Sequence, residues 1–319
     1  MKNLKIVNIR AIAIIIVVFG HSIILYSPSW GMYNTVNKVY LFEILKQIIN
    51  VVQMPIFFSL SGYLFYKTIS KDNNFLNFLK LKFNRLILPF IFTAIFWMIP
   101  MKKIINYSNY NDIGMFEILK LVLTGKDAGH LWYLPTLFLI FLIMYFLCLF
   151  LKKRSFFEDL LIFILLLLIS IISNNLNTNI YISSALFYSI YFYFGFCLFK
   201  YEDYIMNINK KRISLLLVFL MFIPIFINNL YLNYIITMII ILSLYIIVPN
   251  KTNKYISSIS KNSFGIYLFH SPLVYITYSY FANANPLIVV FINFVIFGSL
   301  AFLITELLRK IKLKIFIGE

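Results

Sequence analysis

MKNLKIVNIRAIAIIIVVFGHSIILY, residues 1–26, is an apolar segment of bilayer length that carries an arginine at Arg10 and a histidine at His21. A helix needs about 20 mostly apolar residues to cross a hydrocarbon core about 30 Å thick. Ionisable side chains inside such a helix are costly and mark polar sites or pathways. Arg10 and His21 are eleven positions apart, about 16.5 Å along a helix at 1.5 Å per residue. Eleven steps of about 100° come within about 20° of three full turns, so both side chains leave the same face. One stripe therefore presents a cation near one membrane edge and a titratable imidazole beyond the midplane.

The apolar pattern of this segment recurs along the whole chain. Of 319 residues, 62% are hydrophobic and 12% charged, against about 45–50% and 25% in soluble domains. The fold class is all-α: a polytopic membrane helix bundle of about ten spans. Their expected positions are 6–26, 44–66, 84–101, 131–151, 158–174, 180–199, 213–228, 232–249, 264–281 and 287–308. No polar block is long enough for a soluble module, so residues 1–319 read as a single membrane domain. Lys2 and Lys5 precede a long apolar run without a small-residue cleavage site, which reads as a retained first helix rather than a signal peptide. Cys148 and Cys197 lie within apolar runs and suggest neither a disulfide framework nor thiol chemistry.

The formal charge of +17 invites a nucleic-acid reading, but its distribution argues otherwise. With the N-terminus placed in the cytoplasm, 22 of the 28 Lys and Arg residues fall on the inner side and six, Lys46 and Lys102 among them, on the outer. That asymmetry follows the positive-inside rule. It puts both termini in the cytoplasm and makes membrane lipids, not nucleic acid, the partner of the basic surplus. The longest loops are expected at 102–130 outside and 67–83 inside.

Several residues carry candidate chemistry. Arg10 reads either as an anchor snorkelling to the interface or as part of a site. His21 reads as a catalytic imidazole or as a hydrogen-bonded packing residue. His130, in GKDAGHLWYLP, starts the fourth span beside Trp132 and Tyr133 of an interfacial aromatic belt; Asp127, one turn earlier, is placed to orient it. His270, in IYLFHSPL, is expected only a few residues from the cytoplasmic start of the ninth span, with Tyr267 one turn earlier and Pro272 as a possible kink. Ser59, Ser61 and Gly62 suit close helix approach. The three histidines lack the spacing of a metal-ligand set, so no metal is expected. No nucleophile elbow, Walker loop or dinucleotide fingerprint occurs.

Five motifs in order extend the reading: Arg10 followed by ten residues and His21, FFSLSGYLF (57–65), KLKFNRLILPF (80–90), HLWYLPTLF (130–138) and SFGIYLFHSPL (263–273). Together they make the chain resemble the acyltransferase-3 family of membrane acyltransferases. The resemblance implies a ten-helix domain that moves acyl groups, often acetyl, from coenzyme A onto extracytoplasmic glycans, without the added hydrolase-like domain of some members. It also implies donor binding at an Arg-x-x-Arg motif near the third helix. Here that motif reads Lys82-Phe-Asn-Arg85, so a point charge replaces the first guanidinium fork.

The expectation is an O-acyltransferase in a bacterial cytoplasmic membrane. It would take acetyl-CoA or another acyl-CoA from the cytoplasm and acylate a glycan or lipid-linked glycan hydroxyl, with His21 and Arg10 at the centre. The alternative is a transporter or flippase for a lipid-linked glycan, with Arg10, His21 and His130 lining a polar path.

Overall fold

The computed structural model describes residues 3–27, 37–69, 74–150, 155–176, 178–205 and 229–319, with positions 213, 214, 216, 219, 220 and 223 between them. Among the described residues all regular structure is helical. We number the main helices α1 (Leu4–Ile23), α2 (Tyr40–Ile69), α3 (Phe75–Ile104), α4 (Met115–Leu123), α5 (Tyr133–Phe150), α6 (Phe156–Ser173), α7 (Ile180–Lys200), α8 (Leu230–Ile247), α9 (Lys254–Tyr280) and α10 (Pro286–Lys310).

Short polar side chains start these helices by accepting from free N–H groups of the first turn. Asn3 caps α1 by accepting from Lys5 N and Ile6 N, Asn179 caps α7, and Asn253 caps α9 by accepting from Ile256 N. Ser155 and Glu158 form a reciprocal capping box at α6. In α3, Pro89 and Pro100 remove the N–H groups owed to the carbonyls of Arg85 and Phe96. The helix widens there into π turns at Phe83–Ile87 and Ala94–Met98.

Among the described residues, seven helices are long and apolar enough to cross a membrane: α1 with its extension to Tyr26, α2, α3, α5 with the turn before it, α6, α7 and α10. About ten spans were expected. α8 is apolar but shorter. α9 opens on a polar stretch that includes Ser257, Ser260, Lys261 and Asn262. The seventh expected span, 213–228, lies largely outside the described residues. Two loops are also smaller than expected. α2 continues to Ile69 and α3 begins at Phe75, while the 102–130 segment is shortened by the end of α3 and contains α4.

The bundle is held by close backbone approaches. A Cβ on Gly62 of α2 would lie 1.8 Å from Phe192 O of α7, and one on Gly195 of α7 would lie 1.9 Å from Ser59 O of α2. Only hydrogen fits at either position, and the reciprocal contact locks α2 to α7. α1 packs between α2 and α9, and α9 also abuts α10. Leu161, Leu165 and Leu168 of α6 and Leu287, Phe291 and Leu303 of α10 are exposed. An outward apolar surface of this kind suits hydrocarbon, not water.

Candidate active site

Pro272 sets up the site from within α9. It has no N–H for the carbonyl of Leu268, four residues earlier. His130, on the 3₁₀ turn Gly129–Trp132 before α5, satisfies that carbonyl through Nε2–H at 3.0 Å. The Trp97 indole of α3 donates to the next carbonyl, Phe269 O, at 3.0 Å. The Tyr267 hydroxyl donates in return to the backbone carbonyl of His130. A proline, a histidine, a tyrosine and a tryptophan thus clasp α3, α5 and α9 together.

The same helix carries His270 towards α1. His270 Nδ1 lies 2.8 Å from Ile266 O and 3.0 Å from Tyr267 O, so this nitrogen carries the proton. Its Nε2 is then an acceptor, and it stands 2.9 Å from His21 Nδ1. His21 must donate from Nδ1, which leaves His21 Nε2 as a bare lone pair. The hydrogen-bond pattern assigns these tautomers. Tyr278 holds the other side of the residue by donating to the His21 carbonyl. His130 Nδ1 is a second bare nitrogen, buried and without a partner among the described residues; its ring centre is 5.9 Å from that of His270.

Two cavities are lined by His21 and His130, and a third, larger one adjoins one of them through shared walls. The largest, about 600 Å³, is lined by Arg10, Lys82, Arg85 and Lys261, with Tyr133 and Phe141 among its aromatic walls. A second, about 240 Å³, shares Met54 and Tyr267 with it and is also lined by His21, Asn50, Gln53 and Tyr188. A third, about 260 Å³, shares His21, His130 and Trp132 with the second and reaches Lys102, Asp127 and Tyr107. His21 thus stands where the middle cavity joins the one at the far end from the cations.

Among the described residues, no hydrogen bond or ion pair engages Arg10, Lys82 or Arg85. Lys82 Nζ sits 3.5 Å from the Phe141 ring centre, a cation–π contact. Lys82 and Arg85 flank the start of the first π turn of α3. The carbonyl of Arg85 faces Gly318, whose φ of +71° and lack of a side chain admit the approach. Glu319 borders the same cavity, and hydrogen bonds from the Arg309 guanidinium hold its carboxyl below the ordinary carboxylate range.

Two sequence expectations are corrected. Asp127 does not orient His130: its Oδ1 pairs with Lys102 Nζ at 2.6 Å, and His130 turns to the carbonyl that Pro272 frees. His270 does not lie near a helix start, because the Asn253 cap begins α9 at Lys254, ten residues before the expected edge. The remaining candidates, Arg10, His21, Tyr267, Lys82 and Arg85, all line the cavities. Sequence reasoning missed Lys261, Asn50, Gln53 and Tyr188 as lining residues. Lys261, nine residues before His270 and on the same helix, was the one with a usable signal.

Comparison with known families decides the wider question. The family model described as an acyltransferase domain, that of the acyltransferase-3 family, matches residues 3–307. The chain belongs to the acyltransferase-3 family. It is a multi-pass membrane acyltransferase. Neither the curated proteins nor the solved structures supply a match. The bare His21 Nε2 is a lone pair on a residue that lines two of the cavities, and such a nitrogen is chemically able to accept a proton or an acyl group. His270 would share the charge that His21 then acquires.

Proposed function

We propose that this acyltransferase carries an acetyl group from cytoplasmic acetyl-CoA to a hydroxyl of a cell-surface or exported glycan, free or lipid-linked, in a bacterial cytoplasmic membrane. The observation that carries the reading is the bare Nε2 of His21, facing a chain of cavities that begins at four cations. Arg10, Lys82, Arg85 and Lys261 suit the phosphates of coenzyme A, and Arg85 adds a guanidinium fork. The extended thiol arm then has about 16 Å to cover, the rise from Arg10 to His21.

Two routes use the same nitrogen. In direct transfer, His21 Nε2 takes the acceptor's hydroxyl proton as the oxygen attacks the thioester carbonyl. The C–S bond breaks, and the proton passes to the CoA thiolate. In the relay, Nε2 itself attacks the carbonyl, the C–S bond breaks and CoA leaves as its thiolate; the acceptor hydroxyl then displaces the acyl group from the imidazolium, and the hydroxyl proton passes to the thiolate. Single-turnover quenching separates them, because only the relay yields a labelled protein that hydroxylamine discharges.

The reading is tested with the purified chain in nanodiscs, acetyl-CoA and a panel of glycans. CoA release matched by ester formation, both abolished in His21→Asn, is expected; release unchanged in His21→Asn would overturn it. Orientation is tested separately. An impermeant thiol reagent should label Asn111→Cys in intact cells and leave Lys251→Cys untouched, and the reverse pattern would refute cytoplasmic delivery of the donor.

A further inference from the structure

Lys46 is 5% exposed, and neither the histidine network nor the cation cluster uses it. Among the described residues its ammonium takes part in no hydrogen bond and no ion pair. Glu43, the acid one turn away on α2, is committed elsewhere: Oε1 accepts from Gln47 at 3.0 Å and Oε2 from Ser27. The segment 28–36, PSWGMYNTV, holds no acidic side chain. A buried ammonium without a counter-ion costs free energy, and an ionisable group inside a membrane bundle is retained where something supplies the opposite charge.

Its position says what that something is near. A Cβ on Gly20, the residue before His21, would stand 3.3 Å from Lys46 Nζ and 3.1 Å from Gln53 Oε1. Gly20 thus lets the cation lie against α1 beside the reactive imidazole. Gln53 Oε1 is itself a buried acceptor without a partner, while Gln53 Nε2 donates to Asn50 Oδ1 at 2.9 Å. Lys46, Asn50 and Gln53 are spaced i, i+4 and i+7, one face of α2. Asn50 and Gln53 of that face line the 240 Å³ cavity together with Trp132 and Tyr188, whose ring centres are 5.5 Å apart, and Lys46 lies one turn before Asn50. Amides beside aromatic rings recognise the hydroxyls and C–H faces of a sugar.

We infer that Lys46 binds an oxyanion of the acceptor, a sugar carboxylate or a phosphate, and that the acyl group is therefore delivered to an anionic glycan. This rests on the acyl-transfer reading of the His21 site. The charge sits on the α2 face that leads to His21, so it selects the acceptor and sets its hydroxyl towards Nε2.

The test uses the full chain in phosphatidylcholine nanodiscs, whose lipid has no net charge. Binding of decyl glucuronide and of neutral decyl glucoside is followed by tryptophan fluorescence. Wild type and Lys46→Arg should bind the glucuronide about tenfold tighter than the glucoside at low salt, and Lys46→Met should bind the two alike. Methionine matches the stem and removes the buried charge, a replacement that folds tolerate. The glucoside is each variant's own reference, so a general loss of fold lowers both affinities together. Decyl phosphate competing as well as the glucuronide assigns the anion to a phosphate, and failure to compete assigns it to a sugar acid. Equal affinities in wild type, no binding of either glycoside, or a preference that survives Lys46→Met would overturn the inference. Acyl transfer is read independently: if wild type releases no CoA from acetyl-CoA, that reading fails whatever the glycosides do.

Discussion

At the histidine end of the cavity chain, four of the six imidazole nitrogens of His21, His130 and His270 are engaged at 2.8–3.0 Å, and the two bare ones are defined by those bonds. At the opposite end, Arg10, Lys82 and Arg85 form no hydrogen bond or ion pair among the described residues and border about 600 Å³ of space. Under the proposed acyl transfer, the difference separates two tasks. Moving a proton or an acyl group needs one nitrogen held in one tautomer and one direction, so that end is closed and cross-linked. Holding a large polyanion needs charge with freedom to adapt, so that end is open and its cations are uncommitted.

The comparison can be broken experimentally at either end. The largest effect is expected for His21→Asn, which keeps hydrogen bonding but cannot exchange a proton at the same nitrogen or accept an acyl group. Acyl transfer should fall at least about a hundredfold at normal membrane abundance. Most of the activity surviving would show that the closed end is structural, and loss of the protein from the membrane would point to packing. His270→Leu comes next. It leaves His21 Nδ1–H unpaired and free to rotate, so kcat should drop about thirtyfold with the KM for acetyl-CoA unchanged, a loss of about 2 kcal/mol within the range for a charge-assisted hydrogen bond. A rise in KM without a fall in kcat would contradict the positioning role.

The open end should answer in the opposite parameter. Arg85→Ala should raise the KM for acetyl-CoA about tenfold and change kcat little, as expected for one lost phosphate contact. The smallest effect belongs to Lys80→Ala, whose side chain is exposed and does not border the cavity; donor KM should stay within about twofold. Equal effects of Arg85→Ala and Lys80→Ala would mean that the cations act only as a diffuse field.

Much of the fold was legible because the bilayer imposes a simple code. Nine of the ten expected spans coincide with a helix among the described residues, since each must satisfy its backbone internally and face hydrocarbon. Edges were less legible. α9 begins ten residues early because its first turns are polar and are driven by the Asn253 cap and by packing against α1 and α10, not by hydropathy. Gly62 was readable as a close-approach residue, but its counterpart Gly195 was visible only once α2 lay against α7.

The sequence by itself determined the all-helical class and the shared stripe of Arg10 and His21. Those follow from local periodicity and from the cost of charge in lipid, which act along the chain. Tertiary structure alone decided that His270 rather than His130 pairs with His21, that Asp127 serves Lys102, and that Lys46 is buried with its charge unmatched among the described residues. His21 and His270 are 249 positions apart, and a hydrogen bond depends on atoms within about 3 Å, a distance no sequence spacing encodes.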